Sequence, residues 1–110
     1  MQVQQLINQQ GPLPLQSTFT AASTAPALLT VTGSMWTESG NYMLQMNVYL
    51  DGTQIGSVQT FSNGSNTVRV LPTLFIGLPS LGSGPHTLVL TPQVEQDWSD
   101  VGFFSATLIF

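Results

Sequence analysis

The side chains with the most chemistry in this sequence are one histidine, a short run of carboxylates and two tryptophans. His86 follows a Gly82-Ser83-Gly84-Pro85 loop and opens an alternating segment. An imidazole titrates near neutrality and so suits a general base. A triad built on it needs a nucleophile and an orienting carboxylate, and no Gly-x-Ser-x-Gly elbow or His-x-His pair accompanies it. His86 therefore reads as a loop cap or a strand-end packing residue. Glu95, Asp97 and Asp100 fall within six residues. Paired carboxylates can cleave glycosides, and with Ser99 and backbone carbonyls they could offer the oxygen ligands that Ca²⁺ takes. The spacing does not match an EF-hand loop, and the plain reading is a solvated acidic loop. No metal, cofactor or catalytic residue is expected.

Trp36 and Trp98 both sit in polar stretches, beside Ser34, Thr37 and Asn41 and beside Asp97 and Ser99. A sugar site needs an aromatic ring for the apolar sugar face, plus amides and carboxylates for the hydroxyls. Asn47 and Tyr49, on the outward side of the longest alternating run, would extend such a site. The candidate glycan-binding set is Trp36, Asn47, Tyr49, Asp97 and Trp98. The rival reading packs each tryptophan over the end of the fold or into a subunit contact, since tryptophan is enriched at protein interfaces as well. Asn63-Gly64-Ser65 has the form of a glycosylation acceptor and is read only as a turn.

Charge is the anomaly of composition. Charged residues make up 5% of the 110, against roughly 25% in an average soluble domain. The single basic residue is Arg69, and the acids are Glu38, Asp51, Glu95, Asp97 and Asp100. A surface of Ser, Thr, Asn, Gln and Gly does little to keep copies apart. The expected partner is therefore the chain itself, in a homo-oligomer such as a trimer or a filament, with glycans as a second class. One arginine cannot neutralise a phosphate backbone, which excludes nucleic acid. The lack of basic residues also argues against anionic membranes, and no apolar run reaches the ~18 residues of a membrane helix. Cysteine is absent, which removes disulfides, zinc–thiolate sites and cysteine nucleophiles.

The elements that must position these residues are strands. Ala27 to Thr32 alternates, and Tyr42 to Leu50 alternates more clearly, with its even positions toward a core. Asp51-Gly52 follows at once and predicts a tight hairpin into Thr53–Val58, because both turn residues need positive φ. Asn63-Gly64 predicts a second turn, between Thr60-Phe61 and Thr67–Val70. Pro72 and Pro79 bracket Leu74–Leu78, which makes it an edge strand or a packed loop. His86–Thr91 and Gly102–Phe110 complete the set. The last is apolar on both faces, which predicts cover on its outer side. Seven or eight strands with frequent turn signals predict an all-β, jelly-roll β-sandwich over residues 27–110.

Residues 1–26 have a different texture, rich in Gln and interrupted by Pro12, Pro14 and Pro26. Val3, Leu6 and Ile7 have helical spacing for a turn or two; the alternative is an extended arm or connector. Such an arm would place Val3, Leu6, Ile7, Leu13 and Leu15 on a neighbouring subunit, since exposed apolar clusters usually mark contacts. The opening MQVQQLINQQGPLPLQ has no basic segment and no continuous apolar segment, so it is not a secretory signal. A surface protein without such a signal points to assembly inside the producing cell, as part of a virion or a cell or spore surface structure.

LDGTQIGSVQTF (Leu50 to Phe61), GPHTLVLTP (Gly84 to Pro92) and DVGFFSATLIF (Asp100 to Phe110) resemble small jelly-roll domains of phage tail, virion and bacterial surface-appendage proteins. The outline from Gly33 to Phe110 is similar to the trimeric complement-C1q and tumour-necrosis-factor-like jelly rolls. The resemblance implies an all-β subunit, often trimeric, used in fibres, capsid decorations, appendages or glycan recognition. The expectation is thus a self-assembling structural subunit of a virion, tail fibre or appendage. The alternative is a lectin-like carbohydrate-binding module, and an enzyme is not expected.

Overall fold

The computed structural model describes residues 1–94 and 97–110, and every strand pairing in it is antiparallel. The strands are β1 (Val3–Gln10), β2 (Leu15–Thr20), β3 (Ala27–Thr32), β4 (Ser34–Met35), β5 (Tyr42–Leu50), β6 (Thr53–Ser62), β7 (Arg69–Val70), β8 (Leu74–Leu78), β9 (Pro85–Pro92) and β10 (Phe103–Ile109). One sheet has the order β1-β10-β3-β8 and faces a second of order β2-β9-β5-β6, with β4-β7 as a small ribbon. The fold is a jelly-roll β-sandwich.

The core follows from the period of two. Leu44, Met46 and Val48 of β5, Leu88 and Leu90 of β9, and Phe104, Ala106 and Leu108 of β10 are all fully buried between the sheets. Asp51 and Gly52 both have positive φ, at 51° and 81°, as a tight β5–β6 hairpin requires. Leu74–Leu78 is the edge strand β8, paired only with β3, where its flanking prolines cost no ladder bonds.

One expectation is corrected. Residues 1–26 are not an arm, because β1 pairs with β10 and β2 with β9 of the same chain. Ile7, Leu13 and Leu15 belong to this chain's own core, Leu6 packs against it, and only Val3 is well exposed, at 56%. The helical spacing has a β-sheet cause. A bulge between Gln5 and Ile7 inserts one residue, so Gln4 and Ile7 face inward three positions apart instead of two. The chain turns just after Asn63, at Gly64 to Asn66, and β7 then leaves β6 and pairs with β4 through Ser34–Val70 and Met35–Arg69.

The outer side of β10 is covered in part by its own sheet. Ile109 is half-buried and lies in register between Val3 and Leu28, while Phe103 stays 53% exposed.

Candidate functional site

Three segments meet at one end of the sandwich: the β1–β2 crossover, the stretch after β4, and the loop between β9 and β10. Gly11 donates its N–H to the Gly102 carbonyl at 2.8 Å, and Gly102 donates to the Ser99 carbonyl at 3.0 Å. The approach is too close for side chains. A Cβ on Gly11 would run into the Ser99 carbonyl, and one on Gly102 into that of Ser34. The Ser99 hydroxyl accepts the Leu13 amide at 2.7 Å and pins the crossover to the loop.

On this frame the two tryptophans meet. Trp36 and Trp98 exchange backbone hydrogen bonds of 2.9 and 2.8 Å, a two-residue antiparallel bridge. Their rings stack with centroids 5.9 Å apart and planes 23° from parallel. The Trp36 indole Nε1 donates to Asp100 Oδ1 at 2.8 Å, which fixes one ring under the other. Trp98 is left 42% exposed.

Trp98 borders a cleft of about 570 Å³. Pro12, Leu13 and Pro14 form one wall, and Pro92, Asp97, Ser99 and Asp100 form the rest with Trp98. Its size lies within the ordinary range for small-ligand sites, and such sites combine apolar walls with a few polar groups. Trp36 lines a smaller hollow of about 210 Å³ with Asn66, Val68 and Val101. The stacked pair thus presents one ring to each depression.

Asp97 lines the cleft but is almost wholly buried. It is 2% exposed, and its Oδ2 accepts the Val94 amide at 3.3 Å while Oδ1 has no hydrogen-bond partner among the described residues. Burial pushes its carboxyl above the usual range, against weaker pulls from the Val94 amide and the Tyr42 hydroxyl. The Tyr42 hydroxyl is raised too, by burial first and then by Asp97.

The structure divides the five candidate glycan residues. Trp36, Asp97 and Trp98 come together at the cleft end, whereas Asn47 and Tyr49 lie on the outer face of the second sheet. Of the acidic run, Asp97 is buried, Asp100 holds Trp36, and Glu95 lies outside the described residues. Pro12, Leu13 and Pro14 are the site residues that sequence reasoning missed. Their only signal was a rigid Gly-Pro-Leu-Pro run, which reads equally well as a linker.

His86 is tied up elsewhere. Nδ1 lies 2.7 Å from Asp51 Oδ2 and Nε2 2.7 Å from the Gly82 carbonyl. Both neighbours are acceptors, so the ring serves both contacts only as an imidazolium. The Asp51 hydrogen bond first, then the Gly82 carbonyl, raises the His86 pKa. The Asp51 carboxyl is lowered by His86 first and by the Thr87 amide next. His86 acts as a loop cap with no ring nitrogen free to serve as a base.

No protein-family model matches this sequence, and no curated protein sequence matches it. Solved structures do. The chain is similar to the CBM36-1 domain of a multidomain xylanase from the hindgut metagenome of Trinervitermes trinervoides, with 14% identity and a TM-score of 0.50, covering 99% of this chain and 96% of that one. It is also similar to the C-terminal domain of the sugar-binding protein EclA, with 14% identity and a TM-score of 0.51, covering 96% of this chain and 73% of that one. The jelly roll is shared. At this identity the likeness establishes the fold alone. These two likenesses support the jelly-roll part of the sequence resemblance and lend no support to its complement-C1q-like, tumour-necrosis-factor-like or phage part.

Proposed function

We propose that this domain is a carbohydrate-binding module whose primary site is the Trp98 cleft. The observation that carries the reading is the half-exposed Trp98 ring, held by stacking on Trp36, at the rim of a cleft that also holds Ser99 and Asp100. An aromatic face takes up the C–H side of a pyranose, and neighbouring oxygens accept its hydroxyls. The two structural neighbours, a carbohydrate-binding module and a sugar-binding domain, support the same reading. With a net charge of −4 and carboxylates at the cleft, neutral sugars are favoured over acidic ones. The test is a glycan array followed by calorimetry on its best hits. Cleft-dependent binding of at least one neutral glycan supports the proposal, and an array without hits counts against it.

Self-association is a second reading, favoured by one surface. Val3, Ile109 and Leu28 form a cross-strand apolar row on the outer face of the first sheet, with Phe75 64% exposed beside it. Light scattering decides it: a monomer mass at high protein concentration removes this reading.

A further inference from the structure

The outer face of the second sheet carries a cross-linked group of side-chain amides. Gln45 Nε2 donates to Asn47 Oδ1 at 2.9 Å and to Gln93 Oε1 at 3.1 Å. Asn47 Nδ2 donates to Gln93 Oε1 at 2.7 Å, and Gln59 Nε2 donates to Gln45 Oε1 at 2.6 Å. Gln54 Nε2 reaches Asn47 Oδ1 at 3.4 Å. Asn47 is only 6% exposed although it points away from the core, because these neighbours cover it.

The network is rigid at its centre and open at its ends. Gln45 has both amide protons and its oxygen engaged. Gln93 Nε2, Gln59 Oε1 and Gln54 Oε1 make no hydrogen bond among the described residues. Gln45 and Gln59 are paired in register, and Gln93 donates its backbone N–H to the Gln45 carbonyl at 3.0 Å. Three neighbouring strand positions spaced by ~4.8 Å put the open ends about 10 Å apart. The outward positions from Gln16 on β2 to Gln59 on β6 carry no charge. Tyr49 lies on the same face at one end, and the cross-strand pair Met43–Phe61 lies at the other, with Phe61 54% exposed.

We propose that this amide group is a second carbohydrate subsite, which receives the continuation of a neutral, linear glycan whose end occupies the Trp98 cleft. The inference rests on the carbohydrate reading above and deepens it from a sugar to a chain. Three observations select that occupant. Fixed, uncharged donors and acceptors match hydroxyls, which both donate and accept. A charged partner would be desolvated here without a countercharge, and an apolar one would strand the open amides. The amide group also lies next to the cleft along the chain, since Pro92 lines the cleft and Gln93 is the next residue.

A size-graded array tests this. The probes are neutral xylo-, cello-, manno- and galacto-oligosaccharides from dimer to octamer, with oligogalacturonates as the charged arm. The proteins are the wild type, Trp98→Ala and the double variant Gln54→Ala/Gln59→Ala, whose positions are exposed on the edge strand β6, with melting curves to confirm folding. For the wild type, affinity rises about tenfold from dimer to hexamer of one neutral series, and the charged arm does not bind. The double variant loses most of that rise while its dimer affinity stays unchanged, and Trp98→Ala weakens the dimer. A rise that survives in the double variant overturns the inference, as does equal weakening of dimer and hexamer or binding of the charged arm. Dimers bound in a Trp98-dependent way with no gain from length overturn the subsite alone and leave the cleft reading standing. No binding of any oligomer overturns both.

Discussion

Trp98 and Asp97 are sequence neighbours with opposite environments. The indole stacks on Trp36 and still faces solvent, whereas the carboxyl is shut away with one oxygen lacking a hydrogen bond among the described residues. An unpartnered buried acceptor is costly, and ionisation makes it more so. Because burial raises the folded-state pKa of Asp97, its contribution to stability is fully present below the ordinary carboxylate range and is lost as pH rises through the raised value. Asp97→Asn removes the charge and keeps an acceptor for the Val94 amide. It is expected to raise the melting temperature at pH 7, with the gain shrinking as pH falls through the raised value and gone once pH lies below the ordinary carboxylate range. Differential scanning calorimetry reads this, and a lower melting temperature at pH 7 would refute it. The two tryptophans were recognisable as site residues because their neighbours are polar. Their contact was not, since the residues lie 62 positions apart and the bridge that joins them is a single isolated pair with no period to detect.

At the scale of elements, the β5–β6 hairpin and the start of β9 are joined by His86 and Asp51. His86 is raised, so its part of the stability is present below its unfolded value and lost as pH rises through the folded one. Asp51 is lowered, so its part is present above its unfolded value and lost as pH falls through the folded one. The clamp is therefore strongest between the lowered Asp51 value and the raised His86 value. A melting-temperature profile against pH should fall on the alkaline side of His86 titration, and His86→Gln should remove that fall. An unchanged profile in the variant would show that another group is responsible. The hairpin itself was readable from its alternation and Asp-Gly turn, since both signals are local. β1 was not, because its bulge imitates a helical spacing, and β7 was not, because two residues paired to a distant strand leave no period to detect. The amide group on β5, β6 and Gln93 was half legible. Alternation placed Gln45 and Asn47 outward, but the hydrogen bonds that tie them to Gln59 and Gln93 depend on strand order across the sheet.

For the whole molecule, the first fifteen residues matter as core and as cleft wall. Ile7, Leu13 and Leu15 are buried, and each such burial contributes roughly 1.5–3 kcal/mol. Their sum is comparable with the entire stability of a small domain, about 5–15 kcal/mol. Deleting Met1 to Gln16 should therefore abolish the cooperative unfolding transition, as followed by circular dichroism. A truncated chain that melts like the full one would restore the arm. The surface, nearly free of charge, is divided in kind. One outer face is rich in amides and the other has an apolar row, so the low charge is not in itself a sign that every face is covered. The central claim is that the Trp98 cleft binds sugar, and calorimetry of wild type against Trp98→Ala with the tightest neutral glycan on the array tests it most directly. Losing an aromatic anchor of this kind costs about 2 kcal/mol or more, so the account predicts a loss of about thirtyfold in affinity with folding unchanged. A folded Trp98→Ala that binds that glycan as tightly as the wild type would contradict it.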